Sequence, residues 1–138
     1  MEKSLTPAEL DVIIDAHFRA EGAMDMKAIM ATYTDDITFD VGGMPETLHG
    51  KQAAAGFYTQ LFKDLATDKV TPLRRMHGPN FVIDDAIFEC RAIGSPFGME
   101  GKGRPIKFRL MHIFEVRDGL ICRENAWLDV GAIQRQLA

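Results

Sequence analysis

Apolar positions change their period once along this chain, and the change divides it into two parts. Up to about residue 65 they recur mostly at helical spacing; beyond it they mostly alternate, as in strands. Leu10, Ile13, Ile14, His17 and Phe18 share one helical face. Thr6-Pro7-Ala8-Glu9 ahead of them is a capping box with proline at the first helical position, and Gly22 is a natural stop. The predicted first helix therefore carries a histidine in its apolar stripe. Asp25 caps a second helix, expected to point Ile29, Met30 and Tyr33 the same way and to end at Thr34-Asp35-Asp36. Residues 37–41 read as a short strand, followed by a loop with Gly42, Gly43, Pro45 and Gly50. A third helix, 51–65, aligns Ala54, Phe57, Tyr58, Leu61, Phe62 and Leu65 on one side.

Everything after the third helix reads as sheet. Residues 70–77 form a strand that Pro72 confines to an edge or a bulge, since proline donates nothing to a ladder. Residues 81–83 extend or restart it, and Asp84-Asp85 is expected to turn the chain tightly into a strand over 86–93. A glycine-rich connection over 94–103 leads to a strand at 106–116, and Asp118-Gly119 turns that one into the last, 120–129. Helices first and antiparallel strands after them is the order of an α+β domain with its helices on one face of the sheet. The 138 residues are expected to form one domain, 1–138, without repeats or linkers.

Composition narrows the function classes. With 46% hydrophobic and 26% charged residues the chain is ordinary for a globular protein, and no apolar run approaches the roughly 20 residues of a membrane span. Met1-Glu2-Lys3-Ser4 lacks the apolar stretch of a secretory signal, which makes a cytoplasmic location the expectation. A net charge of −4 with Arg74-Arg75 as the one cationic doublet argues against nucleic acid as a partner. Cys90 and Cys122 stand far apart with no zinc spacing, so neither a disulfide framework nor a metal site is expected.

On the strand from Ile106, one face presents Phe108, Leu110, His112, Phe114 and Val116. His112 is the titratable group on that inner face, where a general acid or base would be held partly dry; the alternative is a core histidine bonded to backbone or to a carboxylate. His17, on the inner stripe of the first helix, has the same two readings. On the last strand alternation groups Cys122, Glu124, Ala126 and Leu128, so Glu124 either reaches His112 across the hairpin or is a solvent-facing charge. Trp127 and Ile121 then fall on the other face, for sheet packing or a subunit interface. Arg91 either binds an anionic group or pairs with Glu89. Tyr33, Phe57, Tyr58 and Phe62 are core residues or line the mouth of a pocket.

Several segments carry a family resemblance: Tyr33-Thr34-Asp35-Asp36-Ile37-Thr38-Phe39, His49-Gly50-Lys51, Gly103-Arg104-Pro105, the run from His112 to Ile121, and Glu124-Asn125-Ala126-Trp127-Leu128-Asp129. In these the chain resembles the SnoaL-like polyketide cyclases of the wider NTF2-like and ketosteroid-isomerase-like superfamily. The resemblance implies a cone-shaped fold, three N-terminal helices closing a curved, mostly antiparallel sheet around a pocket. It implies a homodimer and a small hydrophobic ligand, with no cofactor. The activity it implies is a cyclase, isomerase or lyase working by proton transfer on a small apolar carbonyl compound. Catalytic candidates are then His112, Glu124 and His17, and the substrate-binding set is Arg91, Tyr33, Phe39, Leu110, Phe108 and Phe57. His112 stands where the cyclases it resembles carry an acid/base aspartate, and His17 where ketosteroid isomerases carry a tyrosine. The isomerase base falls at Val41, with Asp40 on the opposite face, and the Arg-x-Asp arrangement of limonene epoxide hydrolases is replaced by Arg91-Ala92-Ile93 with Ala126 on the final strand. Both of those mechanisms are set aside. The rival reading is a domain without catalysis that binds a hydrophobic ligand or a protein.

Overall fold

The computed structural model describes residues 4–138. In chain order the elements are α1 (Pro7–Gly22), α2 (Met26–Ala31), β1 (Tyr33–Val41), β2 (Leu48–His49), α3 (Lys51–Asp64), β3 (Leu65–Gly78), β4 (Phe81–Ala92), a 3₁₀ turn (Pro96–Gly98), β5 (Arg104–Arg117), β6 (Leu120–Leu128) and α4 (Val130–Leu137). The strands form one sheet in the order β2-β1-β6-β5-β4-β3; β1 and β6 run parallel and the other neighbours antiparallel. The architecture is α+β.

The capping box is formed as written: the Thr6 hydroxyl accepts from the Glu9 backbone N–H while the Glu9 carboxylate accepts from that of Thr6. Asp25 caps α2 by accepting from the Ala28 N–H. Edge strand β3 shifts register between Pro72 and Arg74, where proline would have broken the ladder. Asp118 and Gly119 make the β5–β6 turn with φ of 54° and 78°, the left-handed pair that a two-residue hairpin needs.

Four expectations are corrected. Tyr33 belongs to β1 and not to the second helix, which ends at Ala31. Asp84-Asp85 is no turn: both lie inside β4, and the chain reverses earlier, at Pro79-Asn80, with Asn80 at φ 56°. Their carboxylates are kept in the sheet by guanidinium groups of the flanking strands, Asp84 by Arg75 on β3 and Asp85 by a two-bond fork from Arg109 on β5. The sheet is not the end of the chain either, because Asp129 caps α4, which packs Ile133 and Leu137 over β5. Finally, strict alternation fails on β6. Glu115 pairs with Arg123 but Val116 with Ile121, so Cys122 is an extra residue, and this bulge turns Ile121 inward on the same side as Glu124.

The core has two parts. Leu10, Ile14 and Ile29 from the first two helices, with Ala54 and Tyr58 of α3, pack on Tyr33, Ile37, Phe39, Phe114 and Ile121. Beneath α4, Leu65, Cys90, Ile106 and Phe108 join Ile133 and Leu137. Residues of both parts line a cavity of about 870 Å³, bounded by α1, α3 and the inner face of β3–β6. Met24, Val70, Leu73 and Phe97 line it yet remain exposed, which marks its mouth.

Candidate active site

Strand pleating sets His112 on the inner face of β5, beside Asp84 on β4 and Ala126 on β6. Its ring is 3% exposed, stacks on Phe114 at a centroid distance of 5.4 Å, and meets Phe18 edge-on at 5.2 Å. Its Nε2 lies 3.8 Å from Glu124 Oε2, an ionic contact without a hydrogen bond, and its buried Nδ1 has no hydrogen-bond partner among the described residues.

Glu124 is 1% exposed, and the chain spends four groups on its carboxylate. The Tyr33 hydroxyl donates to Oε1 at 2.7 Å and the Tyr58 hydroxyl reaches Oε2 at 3.3 Å. His17 Nε2 lies 3.2 Å from Oε1, and His112 completes the shell. The orientation of the His17 ring follows from its other nitrogen. Thr32 Oγ1 donates its proton to the Ile29 carbonyl at 2.6 Å, so it accepts from Nδ1–H of His17 at 2.9 Å, leaving Nε2 to face Glu124 and, at 3.5 Å, Glu21.

Electrostatics settle which groups carry charge. Burial opposes a charged His17, but the carboxylates of Glu124 and Glu21 outweigh it and raise the imidazole to about 10, so His17 is an imidazolium at neutral pH. Burial likewise opposes the Glu124 anion, and the charge and hydrogen bond of His17, with the Tyr33 hydrogen bond, hold its carboxyl below the usual range. Burial and the neighbouring Glu124 charge push both tyrosines well above their ordinary value, so they remain donors. The result is a buried anion in the cavity wall, with the His112 ring in contact with it.

The cavity takes in His112, Glu124, Phe39, Phe57, Phe108, Leu110 and Arg91. His17 and Tyr33 are not among its lining residues; both are fully buried and touch Glu124 from behind, which leaves them no surface for a ligand. Arg91 pairs with Asp68 and not with Glu89, its Nε lying 3.1 Å from both carboxylate oxygens, and its side chain is half exposed. Glu124 is no solvent-facing charge. Sequence reasoning missed Glu21, Thr32, Asp84 and Arg75. The spacing of Glu21, four residues after His17 on one helix face, was a usable signal; the others are brought in by the tertiary fold.

The model of the SnoaL-like domain family matches residues 14–124, and the chain belongs to this family. Among solved structures it is similar to a protein of Jannaschia sp. provisionally named a SnoaL-like polyketide cyclase, at 17% identity and a TM-score of 0.84, over 99% of this chain and 97% of that one. An NTF2-like protein of Burkholderia xenovorans aligns at 17% identity and 0.79, over 96% and 98%. An LEH-like epoxide hydrolase of M. tuberculosis aligns at 18% and 0.73, over 94% and 90%. At these identities the likeness is one of fold, the NTF2-like fold. No curated protein matches the chain significantly. No helix among the described residues is long and apolar enough to cross a membrane, and no cluster of three or more His, Cys, Asp or Glu side chains among them is placed to hold a metal ion.

Proposed function

We propose that this SnoaL-like protein is an enzyme that moves a proton at the carbon beside a carbonyl of a small, largely apolar compound, with His112 as the acid/base. One observation carries the reading: His112 lines a largely apolar cavity, and its Nε2 stands 3.8 Å from the buried Glu124 carboxylate without a hydrogen bond to it. A base needs a free nitrogen, and the imidazolium it becomes needs a nearby negative charge. Glu124 supplies that charge without competing for the proton, because His17 and two tyrosines hold it as an anion. His17 and Tyr33 are then positioning residues, while Phe39, Phe57, Phe108 and Leu110 supply apolar contact.

The step balances without a co-reactant. His112 takes the α-proton and the resulting carbanion attacks a second carbonyl of the same molecule. A carbon–carbon bond forms, and the proton returns to the new alkoxide oxygen. Return of the proton to another atom gives isomerisation. The work is enclosure, orientation and proton transfer, none of which calls for a cofactor. A homodimer formed through the outer sheet face, where Trp127 is 55% exposed, belongs to the same reading.

The test follows α-proton exchange of 1-indanone in D₂O by NMR. The protein accelerates exchange, and His112→Ala removes the acceleration by a factor on the order of 10²–10⁴ while the circular dichroism spectrum is retained. Exchange as fast with His112→Ala as with the parent, or no faster with the parent than in buffer, overturns the reading.

A further inference from the structure

A second polar position lies in the same cavity. Asp84 is the pairing partner of His112 across β4 and β5, and both side chains point inward. It is 8% exposed and lines the cavity. Arg75 Nε donates to its Oδ2 at 2.8 Å, while the other end of the same guanidinium is tied to α1 by Asp11 at 3.0 Å and Asp15 at 2.9 Å. The fork fixes the carboxylate in position. It also leaves Oδ1 without a hydrogen bond from any described residue. Such an oxygen, held on a rigid strand in the cavity wall, is placed to accept from a ligand donor.

We propose that Asp84 Oδ1 accepts a hydroxyl of the ligand, so that the cavity selects hydroxylated ketones over plain ones. This deepens the proposed function and rests on it for the placement of the α-carbon at His112. Paired residues on adjacent antiparallel strands have Cα atoms about 5 Å apart, so one small ring reaches both Asp84 and His112, with its hydroxyl on the carbon next to the one that His112 deprotonates. Phe88, Phe108 and Leu110 beside it are apolar, and Arg75 and Asp15, which also line the cavity, are tied to each other, so the hydroxyl has Asp84 as its acceptor there.

The experiment compares the dissociation constants of 3-hydroxy-1-indanone and 1-indanone by titration calorimetry at one pH, with no turnover required. The parent prefers the hydroxy ketone by about tenfold or more, as expected for a hydrogen bond to a charged acceptor. In Asp84→Ala the preference collapses to within about twofold of unity, and Asp84→Asn, which preserves side-chain volume, loses most of it if Asp84→Ala does not fold. Equal affinities in the parent, no measurable binding of the hydroxy ketone at millimolar concentration, or an undiminished preference in a folded Asp84 variant overturns the proposal. Preference without proton exchange sinks the enzyme reading alone; exchange without preference sinks this one alone.

Discussion

Glu124 and His17 form a buried ion pair at 3.2 Å, with 1% and 0% of their side chains exposed, joining the last strand to the first helix. Glu124 lines the cavity and His17 stands behind it, so the pair's electrostatic effect reaches His112 and its loss would reach the fold.

Breaking one half of a buried pair leaves an uncompensated charge, which costs about 3–5 kcal/mol, whereas replacing both halves by apolar groups of similar size is often close to neutral. Glu124→Met and His17→Leu are each expected to destabilise by that amount in urea denaturation, and the double variant His17→Leu/Glu124→Met to regain most of it. Additive losses in the double variant would show that the two residues act independently.

The same pair sets a pH dependence. His17 is raised from 6.5 to about 10 in the folded state, so its contribution is complete below pH 6.5 and fades as pH climbs through 10. Glu124 is lowered from 4.5, so its contribution is complete above pH 4.5 and is lost as pH falls through the depressed folded value. The difference in Tm between the parent and the apolar double variant is expected to be greatest between these limits, declining on both sides. A difference that does not change between pH 6.5 and 10 would contradict a charged His17.

Ala126 is the other strand partner of His112 and lines the cavity. Phenylalanine there occupies the space in front of the imidazole, and the cavity gives it room, so stability should change by less than about 1 kcal/mol. Ketone exchange should fall on the order of tenfold or more. Unaltered exchange in a folded Ala126→Phe would place the ligand elsewhere.

What the sequence made legible was whatever depends on near neighbours. The α1 capping box, the Asp118-Gly119 turn and the alternation that turns His112 inward are local patterns, and each is found in the structure. Asp84-Asp85 was misleading for a physical reason: two adjacent acids between apolar runs are turn chemistry unless cations lie on both flanking strands, and Arg75 and Arg109 become neighbours only after the sheet forms. The partnership of Glu124 was half visible. Its reach toward His112 follows from the hairpin, but the closer contact with His17 comes from the way α1 crosses the sheet. Helix α4 was in fact written in the pattern Asp129, Val130, Ile133, Leu137, a cap followed by a helical stripe.

The extra residue at Cys122 stores information as length and not as chemistry. Every side chain from Arg123 onward takes its side of the sheet from that single insertion, which brings the carboxylate of Glu124 indoors and leaves Arg123 facing Asp40 and Glu115 outside. A hairpin of the same length without the bulge would exchange the two: Cys122 would pair with Glu115, Arg123 with Phe114, and a guanidinium would face the cavity where this chain presents an acid. In such a fold a change of register alone can redraw the charge of a binding site, with no residue in the site itself replaced.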